Sequence, residues 1–105
     1  MNWTITYYSD SLQEEILAMP AGFLGRYLRY ADRMEVYGPD LGMPHTRAMG
    51  EGLFELRLKS KEGIARVFFC NLPKRRIMML HAFVKKSADF GPLLAEIRDA
   101  LTRRR

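Results

Sequence analysis

One cysteine, Cys70, stands among the 105 residues, and the two histidines, His45 and His81, lie far apart. A lone cysteine excludes an internal disulfide framework, and no Cys/His cluster has the spacing of a zinc site, so no metal or other cofactor is expected. Cys70 lies within an apolar stretch and is expected to be buried and inert. No apolar run is long enough to span a bilayer, and the opening Met-Asn-Trp-Thr-Ile-Thr-Tyr-Tyr has no basic stretch leading into an apolar one. Repeats, low-complexity tracts and interdomain linkers are also missing. These absences lead to the expectation of one domain over residues 1–105, cytoplasmic and without a membrane partner.

Charge is abundant but unevenly placed. The formal net charge is +5. Residues 1–52 hold 4 Lys/Arg against 7 Asp/Glu, whereas residues 53–105 hold 13 against 5. A basic half of this kind favours a polyanionic partner, nucleic acid before an acidic protein, and anionic membrane last.

Along the chain, Trp3 to Tyr8 alternates as a strand does, with Trp3, Ile5 and Tyr7 on one side. Ser11 and Glu14 have the spacing of a capping box, so a short helix is expected from there to a stop before Pro20. From Ala21, Leu24, Tyr27, Leu28, Ala31, Met34 and Tyr37 recur at helical steps, with Arg26, Arg29 and Arg33 on the wet side. Gly38 and Pro39 end that helix. Asp40 to Gly52, with four Gly or Pro and no clean period, reads as a connecting loop. Three strands joined by short polar turns follow between Leu53 and Lys86. Pro92 then opens a last helix carrying Leu93, Leu94, Ile97, Ala100 and Leu101 on one stripe, with Arg103 to Arg105 near its end. The expected fold is α+β, in the order β-α-α-β-β-β-α, with a small antiparallel sheet whose apolar side gathers the helices.

Side-chain parity divides the three strands. Successive residues face opposite ways, so Phe54, Leu56 and Leu58 belong to the core and Glu55, Arg57 and Lys59 to the other face. Ala65, Val67 and Phe69 likewise separate from Ile64, Arg66 and Phe68. In the third run Met78, Leu80, Ala82 and Val84 form the apolar set, against Ile77, Met79, His81, Phe83 and Lys85. One face is thus expected to carry Arg57, Arg66, His81, Phe83 and Lys85 together, a surface suited to RNA.

The words Leu41-Gly42-Met43-Pro44, Gly50-Glu51-Gly52-Leu53-Phe54-Glu55-Leu56-Arg57, Ile64-Ala65-Arg66-Val67-Phe68 and Leu80-His81-Ala82-Phe83-Val84-Lys85-Lys86 occur in that order. In these words, and in element order, the chain resembles the RelE/HigB-type toxins of bacterial toxin–antitoxin systems, in their phage-derived branch. Residues 41–86 carry the resemblance closely and the flanking helices more loosely. The sequence departs from the branch after Lys86, where Ser87-Ala88-Asp89-Phe90-Gly91-Pro92 replaces the usual polar run. The resemblance implies a RelE-like fold and a ribosome-dependent mRNA endoribonuclease. It also implies restraint by a small antitoxin, often of helix-turn-helix type.

Under that implication the mixed face acquires roles. Arg57 and Arg66 are the candidates to grip phosphate oxygens and stabilise the charge developing at phosphorus; the alternative for Arg57 is a surface pair with Glu55 or Glu62. His81 serves as general base or acid, or else as a strand histidine bonded to backbone. Phe83 stacks on an unpaired base, or joins a small second cluster with Ile64, Phe68, Ile77 and Met79. Lys85 is assigned to chemistry and Lys86 to backbone contact. Arg47 and Lys59 are candidate RNA contacts, while His45, in the loop, reads as solvated. Lys74, Arg75 and Arg76 form a hairpin tip, either solvated or docked on RNA phosphates. Two other functions remain open: a non-catalytic ParE-like toxin that inhibits DNA gyrase by protein contact, and a basic binding module whose activity has decayed.

Overall fold

A computed structural model describes residues 2–85 and 97–101. The chain runs β1 (Thr4–Tyr7), α1 (Asp10–Leu17), α2 (Ala21–Tyr37), β2 (Thr46–Gly50), β3 (Leu53–Ser60), β4 (Gly63–Leu72) and β5 (Arg76–Lys85); residues 97–101 are helical. The strands form one sheet in the order β1-β5-β4-β3-β2. The α+β arrangement is as expected, with two differences in the sheet. A strand, β2, occupies part of the expected loop, because Thr46 to Ala48 pair with Phe54 to Leu56 even though their own β-propensity is weak. The sheet is mixed rather than antiparallel, since β1 lies parallel to β5. The alternation in Trp3 to Tyr8 marks a strand but carries no information on its partner.

The helices differ from expectation in their details. Ser9, not Ser11, caps α1, its hydroxyl accepting from the Leu12 N–H at 3.1 Å. That places Asp10 in the first turn, where a carboxylate complements the helix dipole. α2 turns Phe23, Tyr27, Tyr30, Ala31 and Met34 inward. The aromatic residues at 23 and 30 belong to the stripe, whereas Leu28 and Tyr37 stand outside, at 48% and 73% exposure. Gly38 ends α2 with φ 95°, beneath the Trp3 ring, where a Cβ would press on the indole at 3.1 Å.

The core lies between the two helices and the sheet. Leu12, Ile16 and the inner face of α2 pack on Leu56, Leu58, Ala65, Val67, Phe69, Ile77, Met79 and Ala82. The other face is covered in part as well. Leu53, Phe68, Cys70 and Met78 bury themselves with Ile97 and Leu101. The helices are therefore not all gathered on one side. Of the stripe expected for the last helix, Leu93 and Leu94 lie outside the described residues, as do Lys86, Pro92 and Arg103 to Arg105.

The two-residue period holds in β3 and β4 but fails in the first half of β5. Phe69 pairs with Met79 and Phe68 with His81, so Leu80 is an extra residue in the strand. This bulge reverses the faces at that point. Ile77 and Met79 lie in the main core, and Met78 and Leu80 pack with the second cluster. Downstream, Ala82 faces the helices, and His81, Phe83 and Lys85 occupy register positions on the other face.

Inside the core, the Tyr7 and Tyr27 hydroxyls are 2.7 Å apart. Burial, then the bond to Tyr7, raises the Tyr27 phenol far above its ordinary 10.0. A raised folded-state value stabilises the fold fully below the unfolded value and loses that contribution as pH climbs. Stability is expected to fall above about pH 10, by at most about 1.4 kcal/mol per pH unit from this group. Urea denaturation between pH 8 and 11 checks it: Tyr27→Phe should show a shallower alkaline decline, and an unchanged slope would mean that Tyr27 ionises freely in the fold.

Candidate functional site

The face of the sheet opposite α1 and α2 brings the expected residues together in three adjacent rows. Arg57, Arg66 and Phe83 are cross-strand partners on β3, β4 and β5. On one side of this row lie Glu55, Phe68 and His81, and Arg47 of β2 extends it as the partner of Glu55. On the other side lie Lys59 and Ile64, and Lys85 is the register partner of Ile64 on β5. Two arginines directly opposite each other repel, a cost that a sheet built only for stability would avoid.

Glu55 moderates that repulsion. Arg66 Nη1 donates to Glu55 Oε2 at 3.1 Å, and the two side chains are 18% and 3% exposed respectively. Glu55 Oε1 accepts no hydrogen bond among the described residues. Glu62, the other carboxylate considered for Arg57, instead accepts from the Gly22 N–H at 3.0 Å and covers the start of α2. Arg57 thus forms no ion pair among the described residues and remains half-buried at the centre of the face. The pair belongs to Arg66, which parity alone did not distinguish from Arg57.

His81 and Phe83 are both half-buried, their ring centroids 5.5 Å apart, and Phe83 lies 5.6 Å from Phe68. Phe83 therefore has the second cluster on one side while still contributing surface to the face. That cluster contains Phe68 as expected, but not Ile77 or Met79, which the bulge sends to the main core. Arg47 and Lys59 are exposed. Lys74, Arg75 and Arg76 are exposed at the β4–β5 turn, with Lys74 and Arg75 at φ 64° and 55°. That tip is six residues along β4 from Arg66, about 20 Å, so its cations are not part of the same cluster. Among the described residues, no three His, Cys, Asp or Glu side chains come together as a metal ion requires.

Beside this face lies a groove that sequence reasoning did not find. β2 covers β3 only as far as Leu56, after which the Arg57 N–H donates to the His45 carbonyl at 2.9 Å and the edge opens. α2 passes beside that opening. The groove, of about 520 Å³, is lined by Arg26, Tyr30, His45, Arg57, Lys59 and Lys61 among others, with no carboxylate in its lining among the described residues. His45 is held against Tyr30, with ring centroids 4.8 Å apart. Its loop is tied down by the buried Thr46, whose hydroxyl accepts from the Leu41 N–H at 2.8 Å and donates to Asp40 at 3.2 Å. Arg26 was visible only as one of three wet arginines on α2, and nothing local marks it as the neighbour of Lys59.

The family model described as phage derived protein Gp49-like (DUF891) matches residues 14–105. No curated protein sequence is a significant match. Among solved structures, the chain is similar to one from the crystal structure of an archaeal RelE–RelB complex of Pyrococcus horikoshii OT3. The TM-score is 0.58 at 16% identity, over 84% of this chain and 100% of the other. At that identity the likeness is one of fold. The match over nearly the whole chain, on a RelE-like fold, makes this protein a member of the phage-derived Gp49-like family of RelE/HigB-type toxins.

Proposed function

We propose that the protein is the toxin of a toxin–antitoxin pair and acts as an endoribonuclease on mRNA at the ribosome. The observation carrying this reading is the central row, where Arg57, with no ion partner among the described residues, lies opposite Arg66 on a face that also has His81 and Phe83. RNA held there is cut by attack of a ribose 2′-OH on the adjacent phosphorus. The new O2′–P bond forms as the P–O5′ bond breaks, leaving a cyclic phosphate and a 5′-hydroxyl. His81 takes the 2′ proton or returns one to the departing oxygen. Arg57 and Arg66 stabilise the charge on the phosphoryl oxygens as it grows, Phe83 stacks on a neighbouring base, and Lys85 adds positive charge at the edge. Arg47 and Lys59 hold the strand through its phosphates.

The antitoxin is the second partner. The similar archaeal structure is a RelE–RelB complex, and α2 here leaves Leu28 and Val36 exposed along its length and Tyr37 exposed at its end, apolar surface open to a second protein. Inducing the protein in bacteria and mapping RNA 5′ ends together with DNA breaks tests the function. New 5′ ends phased with codons in translated messages are the expected result. DNA breaks with intact transcripts would instead assign a gyrase-directed toxin, and neither kind of damage would leave a binding module. Growth should recover when an adjacent small helix-turn-helix protein is co-expressed.

A further inference from the structure

The groove at the open edge of β3 adjoins the sheet face, and Arg57, Lys59 and Ile64 belong to both. Three cationic side chains besides Arg57, those of Arg26, Lys59 and Lys61, reach it from two different elements, α2 and the β3–β4 hairpin. Its wall includes a half-buried imidazole backed by a buried phenol ring. Glu62, beside Lys61, accepts from the Gly22 N–H and is not among the residues lining the groove; the cations attract an anion, and a flat ring at the wall accepts a flat partner, so the two together match one nucleotide of a single strand. A volume of about 520 Å³ accommodates a group of that size. The loop that presents His45 is fixed by Thr46 and Asp40, and its carbonyl is bonded to the Arg57 N–H, so ring and guanidinium are positioned together.

We propose that this groove is a nucleotide-binding subsite, in which Arg26, Lys59 and Lys61 hold a phosphate of the RNA while its base stacks on His45. The inference rests on the RNA-cleaving reading, and it places the nucleotide next to the one bound on the Arg57–Arg66 row. Arg57 is the hinge between the two sites, and the strand passes over the edge of β3 from one to the other. His45 is then a base-stacking residue, not a solvated loop residue.

Titration of the full-length protein with adenosine 3′-monophosphate, followed through aromatic ring signals in NMR spectra, tests this apart from any cleavage. The expected result is a saturable shift of the His45 and Tyr30 rings. Affinity should be about tenfold or more lower in the Arg26→Ala/Lys61→Ala double variant, and about fivefold to tenfold lower in His45→Ala. Arg33→Ala, on the wet side of α2 but outside the groove, should bind as the parent does. Arg26 and Lys61 are exposed, so the double variant keeps its core, and its own spectrum confirms that. Shifts confined to His81 and Phe83 would overturn the groove and leave the sheet-face reading standing. Equal shifts with inorganic phosphate would reduce the groove to a plain anion site. Displacement of the nucleotide by a hexaglutamate peptide at similar concentration would reassign it to an acidic protein. Cleavage in a translating extract by a protein whose groove fails these tests would separate the two readings.

Discussion

Arg57→Ala is expected to lower mRNA cleavage by about 10²–10³-fold, the loss typical of removing one donor aimed at developing charge. Melting should remain close to that of the parent. Arg57 has no carboxylate partner among the described residues, and its cross-strand neighbour is another cation, so its removal relieves repulsion. Arg57→Lys separates charge from shape: an ammonium keeps the positive charge but loses the fork that grips two phosphate oxygens, so activity should recover only in part. The measurement pairs cleavage in a translating extract with thermal unfolding of the same preparations. If Arg57→Ala cleaves at the parental rate, the charge-stabilising centre lies elsewhere. A similar loss of activity with a large loss of stability would make Arg57 a structural residue.

Much of this site was legible because β3, and β4 beside it, obey the two-residue period. Leu56 and Leu58 against Arg57 and Lys59 is a division that sequence alone makes, and the paired register carries it to Ala65, Val67 and Arg66. β5 obeys the same period on both sides of Leu80 but not across it. Met78 and Met79 are both apolar, so no polarity change marks the bulge, and the inversion of Ile77 and Met79 stayed hidden. β2 was missed for a related reason, since its strand character comes from pairing with β3 and not from Thr-Arg-Ala-Met-Gly itself. The groove was the least legible feature. It joins Arg26 to Lys59 and Lys61 over more than thirty residues of chain, and only the ending of β2 at the edge of β3 creates the opening. Local pattern predicts which face a side chain takes; it does not predict which distant face will lie beside it.

Arg66→Ala should produce the largest loss of stability, about 3–5 kcal/mol, because it leaves the buried Glu55 carboxylate without its counter-ion. Glu55 is 3% exposed and already has one oxygen without a hydrogen bond among the described residues, so losing Arg66 leaves both oxygens unsatisfied. A domain of this size has about 5–15 kcal/mol in total, so the variant should unfold readily and appear inactive whatever the chemical role of Arg66. Activity in Arg66→Ala therefore cannot identify that role on its own. The double variant Glu55→Met/Arg66→Leu can, since replacing both members of a buried pair with apolar side chains of similar volume is often neutral or stabilising. Urea denaturation should show the double variant close to the parent while Arg66→Ala falls well below it. With the fold restored, absence of cleavage in the double variant would assign Arg66 to the chemistry, with Glu55 holding its guanidinium in place. Parental cleavage would confine the pair to supporting the sheet. An Arg66→Ala protein as stable as the parent would mean that Glu55 finds another partner.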